Sequence, residues 1–298
     1  MRVAVTGSSG LVGSRLVEWL LERGDEVLPI RRSGSDGLLW SPDGPVDLEP
    51  KDGVPIDAVV HLAGAPIAGK RWSESYKQEI RRSRVEGTRA LVAGLAALQT
   101  PPKVLVSASA VAVYGPDHGQ EELTEDDCNI AEPSDDFLTQ VGRDWELEAA
   151  AYDAGRVVLL RLGIVLSSEG GALEKMVPPF KMFVGGPLGD GKQYMSWVEL
   201  EDVVRGIGYV LDTAELEGPV NMTAPFPVTN RVFSTMLGRA LGRPSFMPVP
   251  KFAVRLVAGG LADAALLVGH RVLPERLQAS GFGFQGAELM QVLKRAVR

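Results

Sequence analysis

Residues 1–162 alternate short β-branched runs with longer stretches of helical period. Arg2–Thr6 reads as a first strand. Leu11–Arg23 follows as a helix, with Val12, Leu16 and Leu20 on one face and Gly24 closing it. Residues 26–30 form a second strand, although Pro29 places it near a strand end or an edge. Residues 31–56 are rich in Gly, Pro, Ser and Asp and read as loops around one short strand. Strands at 57–62, 104–107 and 156–162 alternate with helices at 74–98 and 135–154. Such alternation, with nearly continuous apolar strands, predicts a doubly wound parallel sheet with helices on both faces. The expected fold class is therefore α/β of Rossmann type, with a smaller α/β C-terminal substrate region.

After residue 165 the elements shorten and loops such as 185–191 and 223–227 interrupt them. Helices are expected at 201–211, 231–241 and 251–268. The division is a dinucleotide-binding domain over 1–165, to which later segments can add strands, and a substrate-binding region over 166–298. A helical C-terminus occupies about residues 245–298. A net charge of −7 disfavours nucleic acid and anionic membranes as partners. The apolar stretch 252–268 is interrupted by Arg255 and Asp263, so no membrane span is expected there. One cysteine, Cys128, excludes an internal disulfide. The three histidines lie far apart in sequence, without metal-ligand spacing, and no metal site is expected. The first ten residues lack the apolar run of a signal peptide. A reducing, cytoplasmic setting follows as an expectation.

The strongest local signal is Gly7, Gly10 and Gly13, between a strand and a helix, with Ser9, Leu11 and Val12 interleaved. Gly7 allows a tight turn, Gly10 a close approach to a pyrophosphate, and Gly13 close helix–strand packing. The helix N-terminus then offers unpaired N–H groups to phosphates. Where an acidic residue would bind the ribose 2′-OH of NAD, the chain carries Arg31 and Arg32. Guanidiniums suit a 2′-phosphate, so the expected cofactor is NADP(H).

These residues give the sequence its resemblance to the extended short-chain dehydrogenase/reductase superfamily. Residues 57–64 are similar to its fourth-strand motif, which implies that Leu62, Ala63 and Gly64 line the cofactor. Residues 107–115 are similar to its Ser…Val-Tyr-Gly stretch, with Ser107 on the cofactor side. Further matches, among them Lys70-Arg71-Trp72, Ser83-Arg84, Gly170 to Leu173, Asn221 and Arg271 to Pro274, resemble a narrower atypical branch. That branch carries the label of predicted nucleoside-diphosphate-sugar epimerases, in places a SulA label, and includes the 39U epimerases. The resemblance implies an NADP(H)-binding, epimerase-like oxidoreductase. Its substrate is a small molecule, such as a nucleotide-sugar. Oligomeric state is left open.

The superfamily's Tyr-x-x-x-Lys dyad is missing. Leu138 stands at the Tyr position and Gly142 at the Lys position. Ser109 matches the superfamily's catalytic Ser, and Tyr114 is a second proton carrier, so both are the expected catalytic residues. Arg84 replaces an Asn common in the long helix, and Glu79, Ser83 and Arg84 are expected on one side of it, with Glu79 and Arg84 near the cofactor. Lys192, Gln193 and Trp197 lie in segments similar to substrate-side stretches, and Asp202 reads as structural. The alternative is a non-catalytic NADPH-binding regulator that lacks the dyad.

Overall fold

The computed structural model describes every residue except 35, 36, 45, 117 and 298. Strands β1 (Arg2–Thr6), β2 (Glu26–Arg31), β3 (Leu38–Leu39), β4 (Ala58–His61) and β5 (Val104–Ala110) belong to one sheet. A short strand, β6 (Glu122–Leu123), lies outside it. β7 (Arg156–Leu162) and, after the outlying β8 (Ile164–Leu166), β9 (Tyr194–Met195) and β10 (Trp197–Glu199), β11 (Gly218–Met222) complete it. The order is β11-β7-β5-β4-β1-β2-β3, and every pairing is parallel. The chain reverses its direction of travel between β1 and β4. In open α/β sheets, ligands bind outside the carboxyl ends of the strands at such a switch point.

Helices α1 (Leu11–Arg23), α2 (Glu74–Ala96) and α3 (Phe137–Ala150) arise from the expected periodic stretches. One apolar layer joins Val3, Val5 and Val60 to Leu16 and Leu20 of α1. Val203 and Ile207 extend that layer, on the helix α5 (Leu200–Asp212) that follows α4 (Ala172–Lys181). The opposite layer joins Ala4, Val59 and Leu105 to Leu91 and Leu95 of α2 and Ala149 of α3. The sheet is thus covered on both faces, as its nearly continuous apolar strands require. Residues beyond 165 contribute both α5 and the edge strand β11 to this layer structure. Pro29 sits within β2 opposite Val5, but β3 pairs only with Ile30 and Arg31. Its missing N–H therefore falls on an open edge, where it costs no ladder bond.

A third cluster joins Leu173 and Phe180 of α4 to Phe233 and Leu237 of α6 (Asn230–Leu241) and Val292 of the C-terminal helix. Between these, β12 (Val228–Thr229) pairs with β9, and β13 (Arg271–Val272) pairs with β6. The helix expected over 251–268 is not continuous. α7 (Lys251–Ala258) stops where Gly259 takes φ 59°, and a π-helical turn, Ala262–Leu266, follows. Residues with a side chain rarely adopt that backbone conformation, so the apolar period hides a break that glycine permits. Two short helices close the chain, α8 (Glu275–Ala279) and α9 (Leu289–Ala296).

His61 bolts β1, β4 and α2 together at the switch point. Thr6 Oγ1 accepts from the N–H groups of Leu62 (3.1 Å) and Ala63 (3.3 Å). It therefore donates to His61 Nδ1 at 2.7 Å, leaving Nε2–H to donate to Thr88 Oγ1 at 3.0 Å. Burial, with a smaller contribution from Arg84, pushes the pKa of the imidazole down from 6.5 to about 3. The unfolded chain thus binds a proton that the folded chain refuses between these values. Stability should fall as pH drops through that window, by up to about 1.4 kcal/mol per pH unit from this group. The His61 ring resonances should show no titration between about pH 8 and pH 5, and a midpoint near that of free imidazole would contradict the assignment.

Candidate active site

The glycine turn closes with a hydrogen bond from Gly10 N to Gly7 O at 2.9 Å. Gly7 has φ 67°, and a Cβ there would stand 2.9 Å from Ala63 N. A Cβ on Gly13 would lie 2.1 Å from Gly7 O, so α1 approaches the turn as only glycine allows. Gly10 differs from both. Its Cβ would meet only Gly7 O, at 3.3 Å, and otherwise point into open space. Ser9 and Gly10 are exposed, while Leu11 and Val12 turn inward against the core. Gly7 and Gly13 are therefore required by the fold, and Gly10 leaves a cradle beside the α1 N-terminus.

Arg31 and Arg32 lie exposed at the carboxyl end of β2. Among the described residues neither forms an ion pair. Leu62, Ala63 and Gly64 follow β4 directly, and the Thr6 hydroxyl fixes the first two. Ser107 sits opposite His61 in the sheet and is almost completely buried. These residues surround the carboxyl ends of β1, β4 and β5, and the fit to a dinucleotide is physical. There is an open cradle at a helix N-terminus, a glycine-lined strand end and a pair of free guanidiniums.

Glu79, Ser83 and Arg84 do not act as one group. Ser83 Oγ accepts from Ala65 N at 3.0 Å, and Arg84 Nη1 donates to Ala65 O at 3.0 Å. Both therefore clasp the loop after β4. Glu79 faces a shallow surface depression with Asp43, Arg82 and Glu86, and pairs with Lys70 at 3.5 Å. Five residues of helix advance by well over a quarter turn from a shared face, which is enough to separate Glu79 from Arg84.

Ser109 and Tyr114 come together, but within a buried polar network. Arg161 and Glu146 form a two-bond ion pair, both bonds 2.9 Å, with side chains essentially inaccessible. Ser109 donates to Glu146 Oε1 at 2.5 Å. Arg161 Nη1 donates to Tyr114 OH at 3.1 Å, and Tyr114 donates to Asn221 Oδ1 at 2.7 Å. Asn221 N in turn donates to Glu125 Oε1 at 2.9 Å. Burial raises the Tyr114 pKa despite the Arg161 charge, and burial also raises that of Glu125. Burial opposes the Arg161 charge, yet the Glu146 carboxylate holds the guanidinium above its ordinary pKa. Both expected proton carriers thus have their hydroxyls engaged by protein groups. The network ties β5, α3, β7 and β11 to the segment around Glu125. The signal for it in the sequence is a single arginine within the apolar run of β7.

The dyad positions are filled. Leu138 is buried, and a Cβ on Gly142 would stand 2.8 Å from Val113 Cγ1. A side chain there requires the Val113 side chain to give way. On the proposed substrate side, Gln193 donates to the carbonyls of Leu188 and Leu266, and Trp197 is a core residue whose indole donates to Phe226 O. Lys192 alone of the three is exposed. Asp202 is structural, but it anchors a later segment by accepting from Gln285 N and Gly286 N. His118 and His270, distant in sequence, come to 6.3 Å between ring centroids. Each ring meets a backbone carbonyl, and no group of three metal-ligating side chains occurs among the described residues. Among those residues no helix is long and apolar enough to cross a membrane.

The chain was compared with known proteins. The family model of the NAD dependent epimerase/dehydratase family matches residues 3–222, and a domain of unknown function, DUF1731, matches residues 249–296. Epimerase family protein Mb2239 of Mycobacterium bovis is 42% identical over 287 residues, which span 95% of this chain and 93% of that one. Epimerase family protein SDR39U1 of Bos taurus is 36% identical across the full length of both chains. The crystal structure of human epimerase family protein SDR39U1 (isoform 2) with NADPH superimposes with a TM-score of 0.89, at 33% identity and over 99% of each chain. With its parallel seven-stranded sheet, its glycine turn and these matches, the chain belongs to the NAD dependent epimerase/dehydratase family.

Proposed function

We propose that the chain binds NADP(H) and acts as an epimerase-like oxidoreductase on a small polar carbonyl or hydroxyl compound, such as a nucleotide-sugar, in the cytoplasm. One observation carries the cofactor choice. Arg31 and Arg32 stand exposed, with no ion-pair partner among the described residues, at the end of β2, where an NAD-binding site would place a carboxylate. The human relative crystallised with NADPH supports the same choice. Gly10 and the α1 N-terminus would hold the pyrophosphate, Arg31 and Arg32 the 2′-phosphate, and residues 62–64 with Ser107 the nicotinamide half. When bound, the cofactor supplies hydride chemistry. The chain's own contribution is to orient it and to keep the end of β5 rigid through the Ser109–Glu146–Arg161–Tyr114 network. In this reading Ser109 and Tyr114 are positioning residues.

A second reading, a regulator that binds NADPH without turnover, draws on Leu138 and Gly142, which leave no proton carrier or lysine at the dyad positions. Calorimetric titration tests the shared premise. NADPH should bind more tightly than NADH, and replacing Arg31 and Arg32 with Ala should cost about 2–4 kcal/mol of NADPH affinity. Equal affinity for the two cofactors in the parent protein would reject the 2′-phosphate assignment. NADPH oxidation against carbonyls and sugar nucleotides then separates enzyme from regulator.

A further inference from the structure

We propose that Arg84, with Trp145, forms a subsite for the carboxylate of a small substrate at the carboxyl end of β4. The α2 helix carries four arginines. Arg81 pairs with Asp144, Arg82 with Asp43 and Arg89 with Glu148. Arg84, the one turned inward, has no carboxylate among the described residues. Its Nη1 donates to Ala65 O and, at 3.4 Å, to Ile80 O. Among the described residues its Nε and Nη2 make no hydrogen bond, and the residue is only partly buried. A half-buried cation without a counter-charge is costly unless a ligand provides one.

The surroundings are built around this guanidinium. Gly64 lies beneath it, and a Cβ there would come within 3.2 Å of Cζ and 3.3 Å of Nη2. The Trp145 ring packs against it, with Arg84 Cζ 5.2 Å from the ring centroid. The Trp145 indole N–H is buried and has no acceptor among the described residues. One place thus holds an unused guanidinium edge backed by an aromatic face. A planar group with two acceptor oxygens and a negative charge matches the open edge of a guanidinium, and a carboxylate is such a group. Burial pushes the Arg84 pKa down to about 10, which leaves it charged at neutral pH. The inference rests on the NADP(H) reading in one respect. The cofactor's phosphates already have Gly10, the α1 N-terminus, Arg31 and Arg32, so Arg84 is free for substrate.

The test is calorimetry with malonate, pyruvate and acetate, each balanced against chloride, on the protein with and without NADPH. At least one should bind saturably, and the matching amide of malonate should not. Arg84→Gln should abolish that binding, and Arg84→Lys, which keeps the charge and loses the fork, should weaken it about tenfold or more. Trp145→Phe, which keeps an aromatic face beside the guanidinium, should weaken it less. NADPH affinity should fall by less than carboxylate affinity in the folded Arg84 variants, the smaller loss coming from the Ala65 carbonyl that Nη1 also holds. Three results would overturn the subsite. These are no saturable binding of any carboxylate to the parent protein, binding that persists in Arg84→Gln, or a more than tenfold loss of NADPH affinity in a folded Arg84→Lys. The last would assign Arg84 to the cofactor. Failure of NADPH to bind the parent protein would instead reject the cofactor reading, and carboxylate binding to the cofactor-free protein would still report on Arg84.

Discussion

Gly10→Val is expected to lose NADPH affinity by more than about 100-fold while the chain still folds. The two halves of that expectation come from one geometric contrast. A Cβ at Gly10 touches only Gly7 O, at 3.3 Å, and α1 already begins at the next residue. The branched side chain therefore meets little protein. It fills the cradle beside the α1 N-terminus, where a pyrophosphate must approach the backbone. Gly13→Val is the contrasting variant, because its Cβ would lie 2.1 Å from Gly7 O and the turn itself must move. Circular dichroism with NADPH titration separates the two. Native-like binding in a folded Gly10→Val protein would show that phosphates sit elsewhere.

Glu146→Gln should destabilise the protein by about 3–5 kcal/mol, the cost of leaving one member of a buried ion pair uncompensated. Among the described residues Arg161 has Glu146 as its one carboxylate partner, and its other side-chain bonds go to Tyr114 OH and Glu125 O. Loss of the carboxylate leaves a buried guanidinium charged in the core and frees Ser109 from its acceptor. Replacing the pair together, as Glu146→Leu with Arg161→Met, should recover part of that loss, since an apolar pair carries no desolvation penalty. Recovery will be incomplete, because Tyr114 and Glu125 O lose a donor. Urea unfolding measures both variants. A loss under about 1 kcal/mol for Glu146→Gln would mean that the pair does not act as the keystone of this network.

Alternating strand and helix periods, written along the first 162 residues, were enough for six of the seven strands of the parallel sheet and for the bounds of β1, α1 and β7, which match the structure residue for residue. These are local signals. A strand buried on both faces has to be apolar at every position, and a glycine turn before a helix has to follow a strand. The turn at Gly7, Gly10 and Gly13 and the exposed Arg31 and Arg32 were legible for the same reason, because a tight turn and a charge at a strand end are written in the local sequence.

Other features depend on which segments meet. The break at Gly259 is invisible to an apolar period that continues through it. Glu79 and Arg84 share a helix, yet Arg84 reaches the Ala65 carbonyl just after β4, while Glu79 pairs at the surface with Lys70, farther along the same loop. Ser109 and Tyr114 carry the chemistry of proton transfer in their side chains. Whether those hydroxyls are free is decided by Glu146, Arg161 and Asn221, which reach them from α3, β7 and β11. The unsatisfied Trp145 N–H and the unpaired Arg84 edge likewise exist only once α2 and α3 pack together. The amino-acid order specified the elements and their local chemistry. Long-range packing decided which polar groups found partners, because desolvation and hydrogen bonding depend on every neighbour that folding brings near.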